Sequence, residues 1–260
     1  MNTIKSLLLF PLSRKTLPLA VSLFLIFLLM WSCSSSKSSG GQKKSGSIRT
    51  LIVGGGTSHN FARWYKQADS ITLTRDGLAT VTYTSGLDSI LPLLPQTDVL
   101  FLSTNQAMQD PNLRKAIFDF VESGKGLIIV HAGTWYNHKD WPEYNARLVG
   151  GGSRSHERYG SFDFTITNPN HPITKGVVTN FNLKDELYRT VPDSTTLGAG
   201  IEVLAIATVP GTQKTYPELW VTKSAKGRIV GFTLGHDGES HDLPAYQTLL
   251  RNAVTWAAKR

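Results

Sequence analysis

Runs of apolar residues that alternate with helical patterns constrain the fold of this chain most strongly. The clearest runs lie in "IRTLIVGGG", "TDVLFLST", "LIIVHAG" and "GRIVGFTLG". Strands that are apolar on both faces are typical of parallel sheets covered by helices. The 260-residue sequence therefore predicts an α/β domain with a mostly parallel sheet.

One helix between these runs is especially well marked. In "DPNLRKAIFDFVESGKG", Asp110 can cap the helix, Pro111 suits its first turn and Gly124 suits its C-terminal end. The apolar stripe of this helix is formed by Leu113, Ile117, Phe120 and Val121. The last segment, "AYQTLLRNAVTWAAKR", has a similar stripe and predicts a closing helix.

The second half of the sequence is less regular. The alternating "FDFTITN" indicates an edge strand, "IEVLAIATV" is also strand-like, and "ELWVTKSAKGRIVGFT" predicts a hairpin that turns at Lys226 and Gly227. No internal repeat and no second linker interrupts this part of the sequence. We therefore predict one domain over residues 48–260.

The formal net charge of +8 does not indicate a nucleic-acid partner. Residues 1–49 contain seven Lys and Arg residues and no Asp or Glu, so 20 basic and 19 acidic residues remain in residues 50–260. The predicted domain is nearly neutral, and we expect no binding to nucleic acid.

Residues 1–33 resemble a bacterial lipoprotein signal peptide. Arg14 and Lys15 precede an apolar run over residues 17–31, which is shorter than the about 20 residues of a membrane span. Ser32 then precedes Cys33, the only cysteine of the chain. We expect Cys33 to be acylated and to anchor the protein in the bacterial cell envelope, with the domain outside the cytoplasm. A plain secretory signal with an incidental cysteine is the alternative.

Residues 34–47 connect this signal to the domain. They consist mainly of Ser, Gly and Lys, a composition that cannot build a core and is typical of a flexible tether. Because Cys33 precedes the tether, the domain has neither a disulfide nor a thiol nucleophile.

Titratable side chains follow several predicted strands. Ligands of open α/β sheets bind beyond the carboxyl ends of the strands. His131 and His236 follow apolar strands there, and Gly133 and Gly235 beside them permit close backbone approach or a positive φ. Neighbouring loops carry His59, His156 and Glu186.

Two chemistries suit these groups. His131, His156 and His236, with Glu186, could bind a zinc-like divalent metal ion. The same groups could form an acid–base pair around a polar substrate. The sequence lacks an HExxH motif, a P-loop and a CxxC pair, so the alternatives remain open at this point.

Aromatic residues are frequent in the loop after His131, where Trp135 and Tyr136 occur. Such rings could stack on a sugar or close over the core. His138 and His241 lie in polar segments and are expected to be solvated.

Five segments carry a family resemblance. In their order, "GKGLIIVHAG", "LVGGGSRSHE", "NPNHPITKGV", "DELY" and "KGRIVGFTLGH" resemble the ThuA-like family, named for trehalose utilisation. The resemblance implies a three-layer, flavodoxin-like sandwich similar to class I glutamine amidotransferases. In those enzymes a cysteine nucleophile follows a strand on a sharp turn. His131 occupies the matching turn here, so we do not expect glutaminase activity.

The resemblance also implies the use of carbohydrates, in particular disaccharides oxidised to 3-keto sugars. It leads us to expect a lyase, isomerase or hydrolase, with a non-catalytic sugar-binding lipoprotein as the alternative. The expected catalytic residues are His131, His156, Glu186 and His236, of which the three histidines are also the expected metal ligands. The expected substrate contacts are His59, Trp135, Tyr136 and Tyr188. The expected partners are a small carbohydrate and, through the anchor, the membrane.

Overall fold

The computed structural model describes residues 46–136, 138–195, 198, 200–224 and 226–260. The predicted signal peptide with Cys33, and residues 34–45 of the tether, lie outside the described residues. Gly46–Arg260 form one compact unit, and its first strand begins at Ile48. Within the described ranges, no helix has both the length and the apolar character needed to cross a membrane.

A nine-stranded sheet forms the centre of this unit. The strands of the chain are β1 (Ile48–Gly55), β2 (Ala79–Thr84), β3 (Val99–Thr104), β4 (Gly126–Val130), β5 (Gly151–Gly152), β6 (Gly160–Ile166), β7 (Asn180–Asp185), β8 (Val191–Pro192), β9 (Ile201–Thr208), β10 (Thr215–Thr222) and β11 (Arg228–Phe232). The sheet order is β2-β1-β3-β4-β11-β10-β9-β6-β7, and β5 pairs separately with β8. The five strands β2, β1, β3, β4 and β11 pair in parallel with their neighbours in this order. The pairs that follow, from β11 through β10, β9 and β6 to β7, are all antiparallel.

Helices cover both faces of the sheet. They are α1 (Ala62–Asp69, continued by Ser70–Thr74), α2 (Ile90–Leu93), α3 (Pro111–Glu122), α4 (Tyr144–Val149), α5 (Gly238–His241) and α6 (Pro244–Ala257). The apolar cluster under one face includes side chains of α1 and α6, and the cluster under the other includes those of α2, α3 and α4. Alternate residues of β4 enter the two clusters, as Ile128 and Ile129 do. The predicted three-layer α/β fold is confirmed.

The marked local signals are also confirmed. Asp110 caps α3 by accepting a hydrogen bond from the Asn112 backbone N–H at 2.8 Å. The predicted stripe of α3 is buried, and β10 and β11 form the predicted antiparallel hairpin. The prediction for "FDFTITN" was wrong, because β6 lies between β9 and β7. The outermost strand is β7, whose alternating but polar sequence "NFNLKD" buries only Leu183 and Asp185.

The antiparallel half of the sheet curls over the parallel half. Strand β7 lies four strands from β11, a separation of roughly 19 Å in a flat sheet. Yet a carboxylate oxygen of Asp185, the last residue of β7, accepts a hydrogen bond from the Gly235 backbone N–H at 2.8 Å. The β9–β10 pairing is irregular at Pro217, Leu219 and Trp220, and such bulges bend a strand and increase its twist. The curl carries the end of β7 to the loop after β11.

Two histidines expected to be solvated are buried. His138 packs edge-on against the rings of Trp141 and Tyr144. His241 lies in α5 against Asp69 and is 1% exposed. Aromatic rings cover both imidazoles: His138 is covered by rings of its own loop, and His241 by Trp64 and Tyr65 of the distant α1 segment. The polar neighbours of the two histidines in the sequence did not indicate this.

Candidate metal and acid–base site

Four titratable side chains meet at the carboxyl edge of the sheet. His59 follows β1, His131 follows β4, Glu186 follows β7 and His236 follows β11. One nitrogen or carboxylate oxygen from each lies within 4.8 Å of the corresponding atoms of the others. His59, Glu186 and His236 line a cavity of about 250 Å³, together with Ser58, Asn105, Trp135, His156 and Tyr188. The fully buried His131 lies behind this lining, in contact with His59 and Tyr188.

His131 is fixed by its backbone and by one hydrogen bond. It begins the 3₁₀ turn His131–Thr134, has a φ of +45° and is fully buried. Gly133 allows this turn to approach β3, because a Cβ there would lie 2.6 Å from the Leu102 carbonyl oxygen. Nδ1 of His131 lies 2.5 Å from the Thr233 carbonyl oxygen, which can only accept. Nδ1 therefore carries a proton, and Nε2 of the neutral ring offers its lone pair to the side chains of His59 and Glu186.

The ring of His59 meets that lone pair. The Nε2 atoms of His59 and His131 are 3.0 Å apart. On its other side, Nδ1 of His59 lies 2.6 Å from the Ser58 hydroxyl oxygen, which accepts a hydrogen bond from the Asn105 amide at 2.9 Å. Burial, followed by the neighbouring imidazoles, lowers the pKa of His59 to about 3. Burial likewise lowers the pKa of His131 to about 3, so both rings are neutral near pH 7.

Glu186 is surrounded by imidazoles. Its Oε2 lies 3.3 Å from Nδ1 of His236 and 3.7 Å from Nε2 of His131, while Oε1 lies 3.8 Å from Nδ1 of His156. Burial acts to raise the pKa of Glu186, but these imidazoles together hold it at about 2. The Glu186 carboxylate in turn raises the pKa of His236. The site thus contains a carboxylate that stays ionised.

The Asp185 side chain connects the backbone at Glu186 with the backbone at Gly235 and His236. Its buried carboxylate accepts hydrogen bonds from the backbone N–H groups of Glu186 at 2.6 Å and Gly235 at 2.8 Å. It also accepts a hydrogen bond from the hydroxyl of Ser240, and the His236 backbone N–H lies 3.4 Å from the same carboxylate. A single side chain therefore links the loop after β7 to the loop after β11.

A second buried network fixes Gly235, which has a φ of +131°. Its carbonyl oxygen accepts hydrogen bonds from the Tyr65 hydroxyl at 2.7 Å and from Nε2 of His241 at 3.1 Å. Nδ1 of His241 lies 2.7 Å from a carboxylate oxygen of Asp69. Because both ring nitrogens of His241 face acceptors, the ring is a buried imidazolium. Burial opposes that charge, yet Asp69 and the other acceptors raise the pKa of His241.

The remaining predicted site residues divide between two cavities. Trp135, His156 and Tyr188 line the cavity of the four ligand-type groups, and the Tyr188 hydroxyl lies 3.4 Å from Nε2 of His131. Burial raises the pKa of Tyr188 well above its usual range, so its hydroxyl keeps its proton. Tyr136 lines a second cavity instead.

The atoms of the central group fit a divalent metal ion. His59 and His131 present neutral imidazoles, and His131 donates its other N–H to a backbone carbonyl, as metal-bound histidines commonly do. Nδ1 of His236 is buried, and its nearest acceptor among the described residues is Oε2 of Glu186 at 3.3 Å, which does not meet hydrogen-bond geometry. The fitting set is His59, His131, Glu186 and His236. It thus includes His59, predicted as a substrate contact, in place of His156, predicted as a ligand.

Sequence reasoning missed several residues that shape the site. Asn105 directly follows β3, so the rule that located His131 could have found it. Asp185 directly precedes Glu186, but no local pattern marks it as the carboxylate that links two loops. Asp69 and Tyr65 lie in a helix pattern and carry no local signal of their buried hydrogen bonds.

The fold is similar to those of solved ThuA-like proteins. One from Parabacteroides merdae has a TM-score of 0.69 and 22% identity, with 82% of this chain and 90% of that chain covered. One from Bacteroides uniformis has a TM-score of 0.66 and 19% identity, with 82% and 92% covered. Alpha-L-fucosidase isoenzyme 2 from Paenibacillus thiaminolyticus has a TM-score of 0.57 and 12% identity, with 81% of this chain but only 33% of that chain covered.

These likenesses establish the fold, whereas a sequence-profile match establishes the family. No curated protein sequence matches this chain significantly. The profile of the ThuA family, described as trehalose utilisation, matches residues 51–257. The five motifs and the fold agree with that match, and the chain belongs to the ThuA family.

Proposed function

We propose that this protein is a metal-dependent enzyme that cleaves 3-keto glycosides. The observation that carries the proposal is the convergence of His59, His131, His236 and Glu186 within 4.8 Å. Three imidazoles and a carboxylate are ligands that a zinc-like ion accepts. A site devoted to binding alone needs aromatic rings and amides more than it needs this concentration of titratable groups. Membership of a family described as trehalose utilisation supports a carbohydrate substrate.

The proposed reaction uses the acidity of the C–H bond at C2, next to the ketone. A bound divalent ion would supply a Lewis acid for the C3 carbonyl oxygen. His156 is the proposed base, because the Glu157 carbonyl 2.7 Å away engages the proton on Nδ1 and leaves Nε2 as the ring nitrogen that can accept another. The side chain of His156 is 38% exposed, so water can reach it.

The proposed reaction is an elimination that converts the 3-keto glycoside into an enone and an alcohol. The C2–H bond breaks and its proton passes to Nε2 of His156. The C2 electrons form the C1–C2 double bond, and the C1–O bond breaks with its electrons on the leaving oxygen. Protonated His156 returns the proton to that oxygen, which leaves an enone and an alcohol. Tyr188, whose hydroxyl stays protonated, is placed to donate a hydrogen bond to a substrate oxygen.

The test uses protein purified without a His-tag and methyl 3-keto-α-glucoside as substrate. We expect the enone to form, activity to disappear after a chelator removes the metal, and activity to return with Zn²⁺ or another divalent ion. The His156→Gln variant should still bind metal but lose turnover. Sugar binding without turnover by the metal-loaded wild type would favour the non-catalytic sugar-binding lipoprotein instead.

We also propose that the activity resides in the bacterial cell envelope. The support is the order of basic residues, apolar run and Cys33 at the N-terminus, which lies outside the described residues. On this proposal, the acylated Cys33 and the tether over residues 34–47 hold the domain near the membrane.

A further inference from the structure

A second cavity lies next to the active-site cavity, on the other side of the rim formed by Trp135, His156 and Tyr188. Its volume is about 450 Å³, larger than the about 250 Å³ of the active-site cavity. Cavities that enclose a drug-sized ligand measure about 300–1,000 Å³. The active-site cavity therefore suits one sugar ring, and a ligand with two rings needs further space.

One layer of backbone separates the two cavities. Trp135, His156 and Tyr188 line the active-site cavity. Their chain neighbours Tyr136, Ser155 and Arg189 line the second cavity.

Hydrogen bonds make this layer continuous. The Tyr136 backbone N–H donates to the Ser153 carbonyl at 2.9 Å, and the Arg189 N–H donates to the Ser155 carbonyl at 2.9 Å. Ser155 and His156, which border the second cavity and the active-site cavity, are both exposed, so a ligand can pass over this edge of the layer.

The second cavity contains a preordered hydrogen-bond donor. The Arg154 guanidinium lies 4.0 Å above the centre of the Tyr136 ring. A guanidinium restrained by a cation–π contact can still donate its N–H groups to hydroxyls. Within the described ranges Arg154 makes no ion pair, whereas Arg189 is bound to Glu157 at 2.7 Å.

The lining also offers the other surfaces that a neutral sugar needs. Val191 is 62% exposed and, with Pro192, presents apolar atoms to which the C–H face of a sugar ring can pack. Oδ1 of Asp193 accepts hydrogen bonds from Thr195, and Oδ2 is a further acceptor for a ligand; the carboxylate also disfavours an anionic ligand beside it. This combination of donor, acceptor and apolar surface fits an uncharged sugar.

We propose that the second cavity binds the second sugar ring of a disaccharide, whose first ring occupies the active site. This inference rests on the proposed function, and it makes disaccharides the preferred substrates. The glycosidic oxygen would cross the rim near Trp135 and Tyr136. The second ring then contributes to binding without contacting the reacting atoms.

The test compares trehalose with methyl α-glucoside, which lacks the second ring, by calorimetric titration of the metal-loaded protein. We expect trehalose to bind more tightly. Arg154→Ala should weaken trehalose binding about tenfold or more, as expected for loss of a charge-assisted hydrogen bond, and leave methyl α-glucoside binding unchanged. The control is Arg147→Ala, because Arg147 lies 4.7 Å above the Phe118 ring and lines a different cavity.

Turnover separates failure of this inference from failure of the proposed function. If wild type cleaves the 3-keto derivatives of both sugars with equal KM, and Arg154→Ala changes neither, the subsite is overturned and the function stands. If wild type prefers trehalose but cleaves neither derivative, the subsite stands and the function fails. Equal weakening of both sugars by Arg154→Ala, or no binding of trehalose to wild type, also overturns the subsite.

Discussion

The Nε2 atoms of His59 and His131 lie 3.0 Å apart, although the two residues are 72 positions apart in the chain. His131 uses its Nδ1 proton for the Thr233 carbonyl, so its Nε2 presents a lone pair. Two neutral ring nitrogens this close require either a proton or a cation between them. The first case makes His59 a hydrogen-bond donor to His131, and the second makes both histidines ligands of one ion.

Substituting His131 by Asn should separate its structural role from its chemical role. An Asn amide can replace the Nδ1–H donor toward Thr233, and Asn tolerates the φ of +45° better than most residues. We expect the free energy of unfolding of His131→Asn to lie within about 1 kcal/mol of the wild-type value, while metal binding and activity are lost. Denaturant unfolding and metal titration measure the two effects.

His131→Ala is the matched variant. It should lose the same activity but be less stable than His131→Asn, since the Thr233 carbonyl loses its donor and Ala disfavours a positive φ. Full turnover by His131→Asn would exclude His131 from the chemistry.

Replacing Asp185 should weaken the site without touching the ligands directly. An amide at this position cannot accept all the hydrogen bonds from Glu186, Gly235 and Ser240. By analogy with other groups that orient ligands, we expect Asp185→Asn to reduce metal affinity about 10- to 100-fold.

The control for Asp185→Asn is Asp163→Asn. Among the described residues, the Asp163 carboxylate accepts a hydrogen bond from the exposed Asn182 side chain alone, at 2.9 Å. This variant should retain wild-type metal affinity. Equal affinity in the two variants would show that Asp185 does not position the site.

The buried pair of His241 and Asp69 should make stability depend on pH. The pKa of His241 is raised in the folded protein, so its protonation stabilises the fold below its unfolded pKa of 6.5. That contribution should be lost as the pH rises through the raised folded pKa. The free energy of unfolding, followed from pH 6 to 9, measures this loss.

Removing one partner of this pair should be costly. His241→Gln leaves the Asp69 carboxyl buried without its cation, and we expect a loss of about 3–5 kcal/mol near pH 6. The double variant His241→Gln, Asp69→Asn should recover part of the loss and show a flatter pH dependence. An unchanged slope in the double variant would mean that the pair does not titrate as described.

Cys33→Ser tests the proposed anchor. The side chain that would carry the lipid is then missing, so the protein should leave the membrane fraction or remain unprocessed. Fractionation of host cells and mass spectrometry of the mature N-terminus measure these outcomes. Wild-type protein with no lipid on Cys33 would contradict the anchor.

The sequence predicted the parts of the fold that depend on local signals. The continuous apolar runs predicted a sheet covered by helices, and the capping residue Asp110 predicted the start of α3. The strand-end rule also located His131 and His236, because both follow neighbouring parallel strands. These features are encoded within a few residues of where they occur.

The rest depends on contacts between distant segments. Glu186 reaches the site because bulges in β10 curl the sheet and bring β7 back to Gly235. The same nonlocal packing buries His241, although its neighbours in the sequence are polar. Trp135 and Tyr136 line different cavities on the two sides of the backbone layer, which their adjacent positions in the sequence did not reveal.

Metal content tests the central claim most directly. Wild-type protein without a His-tag is equilibrated with excess Zn²⁺, freed of unbound ion and analysed by mass spectrometry of the elements, beside His131→Asn and Arg147→Ala. We expect about one ion per chain in wild type and Arg147→Ala, and almost none in His131→Asn, since four ligands at about 2.0–2.2 Å would lose one. No bound Zn²⁺ in wild type, or an equal amount in His131→Asn, would contradict a metal site formed by His59, His131, His236 and Glu186.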